Sequence, residues 1–171
     1  SDVCSSDLIF VSQHAKAIVE RWRAALCLTN VHTDALLQAL ELLPIILAWP
    51  TLTMARKKHL LAEANWDHAL NVFRALGRFG RARASRPAEQ GAWKWWGGWE
   101  EIRRQVEQEM PGLVAQGVAP PPLVTGDDLL EAGWSAGPAM GRILRQIYDA
   151  QLEGVIKTKE QALAWANQNR P

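Results

Sequence analysis

Apolar residues recur at helical steps through most of this chain. Within residues 10–28, Val11, Ala15, Ile18, Val19, Trp22, Ala25 and Leu26 line one face of an amphipathic helix. Thr29-Asn30 predicts a break and a cap. A second stripe, Ala35, Leu36, Leu40, Leu43 and Leu47, predicts a helix kinked at Pro44 and closed near Trp49-Pro50. Thr51 or Thr53 then caps a short helix through Leu61. Trp66, Ala69, Leu70, Phe73 and Leu76 place the next helix from Asn65 to Gly77 or Gly80. Residues 81–87 read as a polar loop, and residues 88–110 as a helix interrupted at Gly97-Gly98. The Gly- and Pro-rich residues 111–122 read as a stiff linker.

The C-terminal pattern is the most sharply punctuated. Thr125 caps a short helix whose first turn carries Asp127 and Asp128, and Gly133 can end it in a left-handed conformation. Gly137-Pro138 restarts the chain with proline at a first helical position. Ile143, Leu144, Ile147, Tyr148 and Leu152 form the following stripe, closed by Gly154. Thr158 and Gln161 form a capping-box pattern for a last helix. Alternation typical of strands is missing, so the expected fold is all-α, with a helical body over residues 9–119 and a helical tail over residues 120–171. Residues 1–8, SDVCSSDL, match the translation of a sequencing-adapter primer and are set aside from the fold.

A chain of 171 residues can bury a real core in one domain or two small ones. Its net charge of +1 gives no global attraction to a polyanion, so such a site has to be a local patch. Cys4 and Cys27 supply neither a disulfide framework nor a zinc spacing. With that cysteine usage a reducing cytoplasm is the expected compartment; no apolar run is long enough to span a membrane, and the pattern of a secretory leader is missing.

Catalytic patterns are also missing. His14, His32, His59 and His68 are scattered, without the spacing of a metal pair. Asp127-Asp128 is accounted for as helix-start chemistry, because neighbouring helical side chains diverge by about 100° and two-metal transfer needs converging carboxylates. No Gly-rich phosphate loop is present. Neither a catalytic residue nor a metal ligand is assigned, and no cofactor is expected on this chain.

The cations are more informative. Between Thr51 and Arg86 stand Arg56, Lys57, Lys58, Arg74, Arg78, Arg81, Arg83 and Arg86, opposed within that segment only by Glu63 and Asp67. Arg74, Arg78 and Arg81 fall at i, i+4 and i+7, a spacing that can track a phosphate backbone or form a solvated face. Trp93, Trp95, Trp96 and Trp99 beside Lys94 could stack bases, but such a cluster more often closes a core. Gly137 and Gly141, followed by Arg142 and Arg145, could admit a phosphate to a helix start, or serve packing alone.

The tail resembles the C-terminal region of bacterial CCA-adding tRNA nucleotidyltransferases and the related poly(A) polymerases. In that family a Thr-Gly-x-Asp-Leu opening, a Gly-Pro, a following Gly and an Ala-Gln-x-x-Gly recur in order. The matching positions are Thr125, Gly126, Asp128, Leu129, Gly133, Gly137, Pro138, Gly141, Leu144, Ala150, Gln151 and Gly154. Leu26-x-Leu28-Thr29-Asn30 is similar to a family junction, while residues 77–118 depart from the pattern. The resemblance implies a tRNA-binding body and tail that hold the acceptor stem and elbow. The magnesium, CTP and ATP would belong to a catalytic head and neck whose motifs are not in this sequence. Poly(A) addition by the parent, or a free-standing helical module docking a protein through the Trp cluster, are the alternatives.

Overall fold

The computed structural model describes residues 15–17, 19–84 and 96–170, giving the backbone alone for residues 80, 83, 84, 96 and 97. Residues 1–8, His14, Arg86, Trp93, Lys94 and Trp95 lie outside the described residues, as does the side chain of Arg83. The described residues form an all-α protein without strands. Helical backbone at 15–17 and 19–26 forms α1. It is followed by α2 (Asn30–Leu47), a 3₁₀ turn (Trp49–Thr51), α3 (Met54–Leu61), α4 (Trp66–Ala84) and α5 (Trp96–Ala115). The remaining helices are α6 (Gly126–Glu131), α7 (Pro138–Leu152) and α8 (Lys159–Gln168).

These elements form two compact units, one of residues 1–52 with 62–116 and the other of residues 53–61 with 117–171. The change at residue 117 falls inside the expected Gly- and Pro-rich linker. The sequence reading put α3 in the body, whereas the fold places it with the C-terminal residues.

In the first unit α1 ends at Cys27, which takes a left-handed φ of 52°. The Leu28 N–H then donates to Arg23 O at 3.3 Å, one hydrogen bond of a Schellman closure. Thr29 caps α2, its hydroxyl accepting from the His32 N–H. Trp22 and Leu26, expected on the apolar face of α1, stay exposed at 42% and 64%. The core is assembled from α2, the 3₁₀ turn, α4 and α5, where Leu43, Ile46, Trp49, Phe73, Trp99 and Val106 are almost completely buried. Trp49 stacks on Trp66 with ring centroids 5.9 Å apart, and Phe73 on Trp99 at 4.3 Å. Such pairs contribute about 0.5–1.5 kcal/mol beyond their buried area.

Two helices run further than their punctuation predicts. α4 continues through Gly77 and Gly80 to Ala84, and α5 passes through Gly97, Gly98 and Pro111 to Ala115. A proline inside a helix costs ~3 kcal/mol. Burying Leu113 on the next turn contributes roughly 1.5–3 kcal/mol and offsets much of it. Core packing therefore carries α5 across a residue that would end a solitary helix.

In the second unit Val124, Leu129, Trp134, Ile143, Ile147, Ile156, Ala162 and Ala166 make one core. Gln151 secures the proline segment beside it. Its side-chain oxygen accepts from the Leu123 N–H at 3.0 Å and its amide donates to Pro121 O at 2.9 Å. The Tyr148 hydroxyl donates to Pro120 O at 3.0 Å. α3 packs on α7 through charged groups. The Ala55 N–H, at the start of α3, donates to Glu153 Oε1 at 2.8 Å, and Lys58 Nζ donates to Leu152 O, at the end of α7, at 3.2 Å. His59 meets Asp149 at 2.8 Å.

Two substitutions check this account by denaturant unfolding. A Cβ at Gly112 would meet nothing within 4 Å, so Gly112→Ala should stabilise the protein by about 0.5–1 kcal/mol through helix propensity. Gln151→Ala should destabilise it by about 1–2 kcal/mol through its two lost hydrogen bonds. A neutral Gln151→Ala would mean that the proline segment is held without that side chain.

Candidate nucleic-acid interface

Arg74, Arg78 and Arg81 do share one face of α4, as their spacing requires. That face borders a cleft of about 270 Å³ lined by these three residues, Gly77, and Glu100, Arg103 and Glu107 of α5. α5 presents its three side chains at i, i+3 and i+7, also one helical face. Four guanidinium groups thus converge against two carboxylates.

The ion pairs within the cleft are specific. Arg74 Nε donates to Glu107 Oε1 at 3.2 Å, and Arg81 Nη2 to Glu100 Oε1 at 2.7 Å. Arg103 spans both carboxylates, donating to Glu100 at 2.6 and 3.2 Å and also to Glu107. The hydrogen bond from Arg103 holds the Glu100 carboxyl below its ordinary range, against a burial effect that pushes it up, with Arg81 adding to the lowering. Partly exposed pairs of this kind each contribute only about 0–1 kcal/mol, so they orient the arginines more than they stabilise the fold. Arg78 is exposed and has no ion-pair partner among the described residues.

This geometry corrects the sequence reading in two ways. The arginine stripe is opposed by Glu100 and Glu107, which lie outside the segment whose charges were counted. Arg103, overlooked there, joins the stripe from across the cleft. The spacing of Glu100, Arg103 and Glu107 was legible as one helix face, but nothing local indicated that this face would meet α4.

Arg56, Lys57 and Lys58 lie on α3, in the other unit from Arg74, Arg78 and Arg81. Lys58 is only 7% exposed and its ammonium is engaged by Leu152 O, so it is unavailable to a phosphate, contrary to expectation. Arg56 remains exposed. Of the Trp cluster, the described Trp99 is 1% exposed and stacked on Phe73, which is core packing and not a platform for bases.

In the tail, most of the patterned residues have a folding role. Thr125 and Asp128 close a capping box around the start of α6. Gly133 ends that helix at φ 82°, with the Trp134 N–H donating to Leu129 O at 2.9 Å. Gly137 precedes α7 at φ 156° and ψ −176°, a region that only glycine enters readily. Gly141 is different. It lies inside α7, and a Cβ there would meet nothing within 4 Å, so packing within this chain does not require glycine. Arg145 Nε donates to Gly141 O at 3.2 Å, which places its side chain along the Gly137–Gly141 strip. Arg142 is exposed on the first turns of α7.

Asp128 is a sensor of this arrangement. The Lys159 ammonium, then the N–H and hydroxyl of Thr125, hold its carboxyl down to about 2. A depressed carboxylate contributes stability above its unfolded value, near 3.8, and loses it as pH falls toward 2. Asp128→Asn should therefore unfold at a lower temperature than the parent at pH 7. The gap should close between pH 4 and pH 2 by calorimetry; a gap independent of pH would show that the charge is not what matters.

Among the described residues no three His, Cys, Asp or Glu side chains are grouped to hold a metal ion. No helix among them is long and apolar enough to cross a membrane. No family model matches the chain, and no curated protein or solved structure matches it.

Proposed function

We propose that this chain is the tRNA-binding body and tail of a cytoplasmic nucleotidyltransferase of the CCA-adding and poly(A) polymerase type. The observation that carries RNA binding is the α4–α5 cleft, where Arg74, Arg78, Arg81 and Arg103 face Glu100 and Glu107. That is a net positive groove in a nearly neutral chain. A phosphodiester oxygen entering it meets guanidinium groups already oriented by carboxylates, and Arg78 offers its donors without giving up an ion pair. Arg142 and Arg145 on α7, with the open Gly141, extend the same chemistry to the tail. The ordered tail pattern from Thr125 to Gly154 supports the family assignment. Magnesium, CTP and ATP belong in this reading to the head and neck of the parent enzyme. Of the Trp cluster, Trp99 is committed to the core and takes no part in docking a protein.

Binding should be electrostatic and indifferent to base identity. Arg78→Gln should weaken tRNA binding, reduce the salt slope of log Kd by about one unit, and leave thermal stability within about 0.5 kcal/mol. Filter binding at several salt concentrations reads both affinity and slope. An unchanged slope would return this cleft to a solvated ion-pair network.

A further inference from the structure

Arg74 donates to Glu107 and Arg81 to Glu100. Residue numbers rise along α4 as those of their partners fall along α5, so the two helices run antiparallel beside the cleft. That register sets Arg78 level with Arg103, about one turn from each pair. Both end levels are closed, each by a carboxylate that also accepts from Arg103. At the middle level stand two arginines and no acidic side chain of the cleft. Arg78 is exposed there and has no ion-pair partner among the described residues. Next to it the cleft is lined by Gly77, buried in the interior of α4. A glycine inside a helix lowers stability relative to alanine, and this one gives the wall beside Arg78 no side chain.

We infer that this gap takes the terminal phosphate of an RNA strand in preference to an internal phosphodiester. The inference rests on the RNA-binding reading of the same cleft and names the part of the RNA that enters it. Four arginines against two glutamates leave an excess of two positive charges, and the register leaves one opening through which they act. A terminal phosphate monoester carries about −1.5 to −2 charge near pH 7 and three acceptor oxygens. A phosphodiester carries a single charge and leaves part of the excess unmatched. Guanidinium forks from opposite walls suit the monoester, because each fork engages a pair of its oxygens. A track over successive phosphates would need Arg74 and Arg81 as well, and carboxylates already hold both.

The test is fluorescence anisotropy of the full chain with one RNA hairpin in three forms: phosphorylated at its 5′ end, at its 3′ end, or at neither. A phosphorylated form should bind about fivefold more tightly than the unphosphorylated one. Arg78→Gln should abolish that preference. Arg104→Gln, which removes an exposed cation of α5 outside the cleft, should keep it. Thermal unfolding checks that both variants remain folded. Equal binding of the three hairpins, weakened equally by Arg78→Gln, overturns the inference and leaves RNA binding by the cleft standing. A preference that survives Arg78→Gln places the terminal phosphate elsewhere and also overturns it. Failure of every hairpin to bind removes the RNA reading and this inference with it. Inorganic phosphate, titrated against chloride at matched ionic strength, separates a free anion from an RNA end. If it displaces the phosphorylated hairpin at concentrations below that hairpin's Kd, the cleft is a free-phosphate site and the inference fails.

Discussion

The reciprocal capping of α3 and α7 determines how the chain is divided. The Glu153 carboxylate follows α7 and accepts from the first turn of α3, where unmatched N–H groups favour an anion. Lys58 returns the favour, placing its ammonium on the Leu152 carbonyl at the end of α7, where the dipole favours a cation. Lys58 is buried, so this contact has few substitutes: an ammonium out of water needs an oxygen that stays put. Eight residues from the middle of the sequence are thereby made part of a unit otherwise built from the C-terminal third.

The electrostatics of both units follow from that arrangement. A segment that looks like one basic tract in sequence separates into two features with different uses. On α3 Lys58 becomes a helix cap, Lys57 is half-buried and Arg56 stays exposed. On α4 its arginines meet a second helix carrying both carboxylates and another arginine. The carboxylates reduce the positive charge of the cleft and at the same time fix where the guanidinium groups point. Pre-orientation of that kind lowers the entropy lost on meeting a phosphate, while competition from Glu100 and Glu107 limits affinity.

The tail shows how one sequence pattern can serve two ends. Thr125, Asp128, Gly133, Gly137 and Gln151 each satisfy a backbone group or adopt a conformation that the local turns demand. A pattern of that composition would be kept by folding alone. Gly141 and the indole of Trp134 are not explained in that way. One is a helical glycine with open space beside it, and the other a buried donor without an acceptor. Gly141 lies within α7, and Trp134 packs in the same core as Ile143 and Ile147 of that helix.

Much of the architecture was legible in the sequence because helix periodicity, caps and left-handed glycines are local. Thr29, Thr125, Gly133, Pro138 and Thr158 punctuate the helices where a reading of nearest neighbours places them. The same local rules failed at Pro111, where burial of Leu113 offsets much of the cost of the proline, and at Gly77 and Gly80, through which α4 continues to Ala84. The i, i+4, i+7 arginine face was readable for the same reason that periodicity was. Its partners were not, since which carboxylates oppose it depends on how α4 and α5 pack. Tertiary structure alone decided that Lys58 is a buried cap, that Trp99 is core, and that the Trp134 indole is left without an acceptor. Each depends on residues distant in sequence, and a linear pattern carries no information on which distant groups will meet.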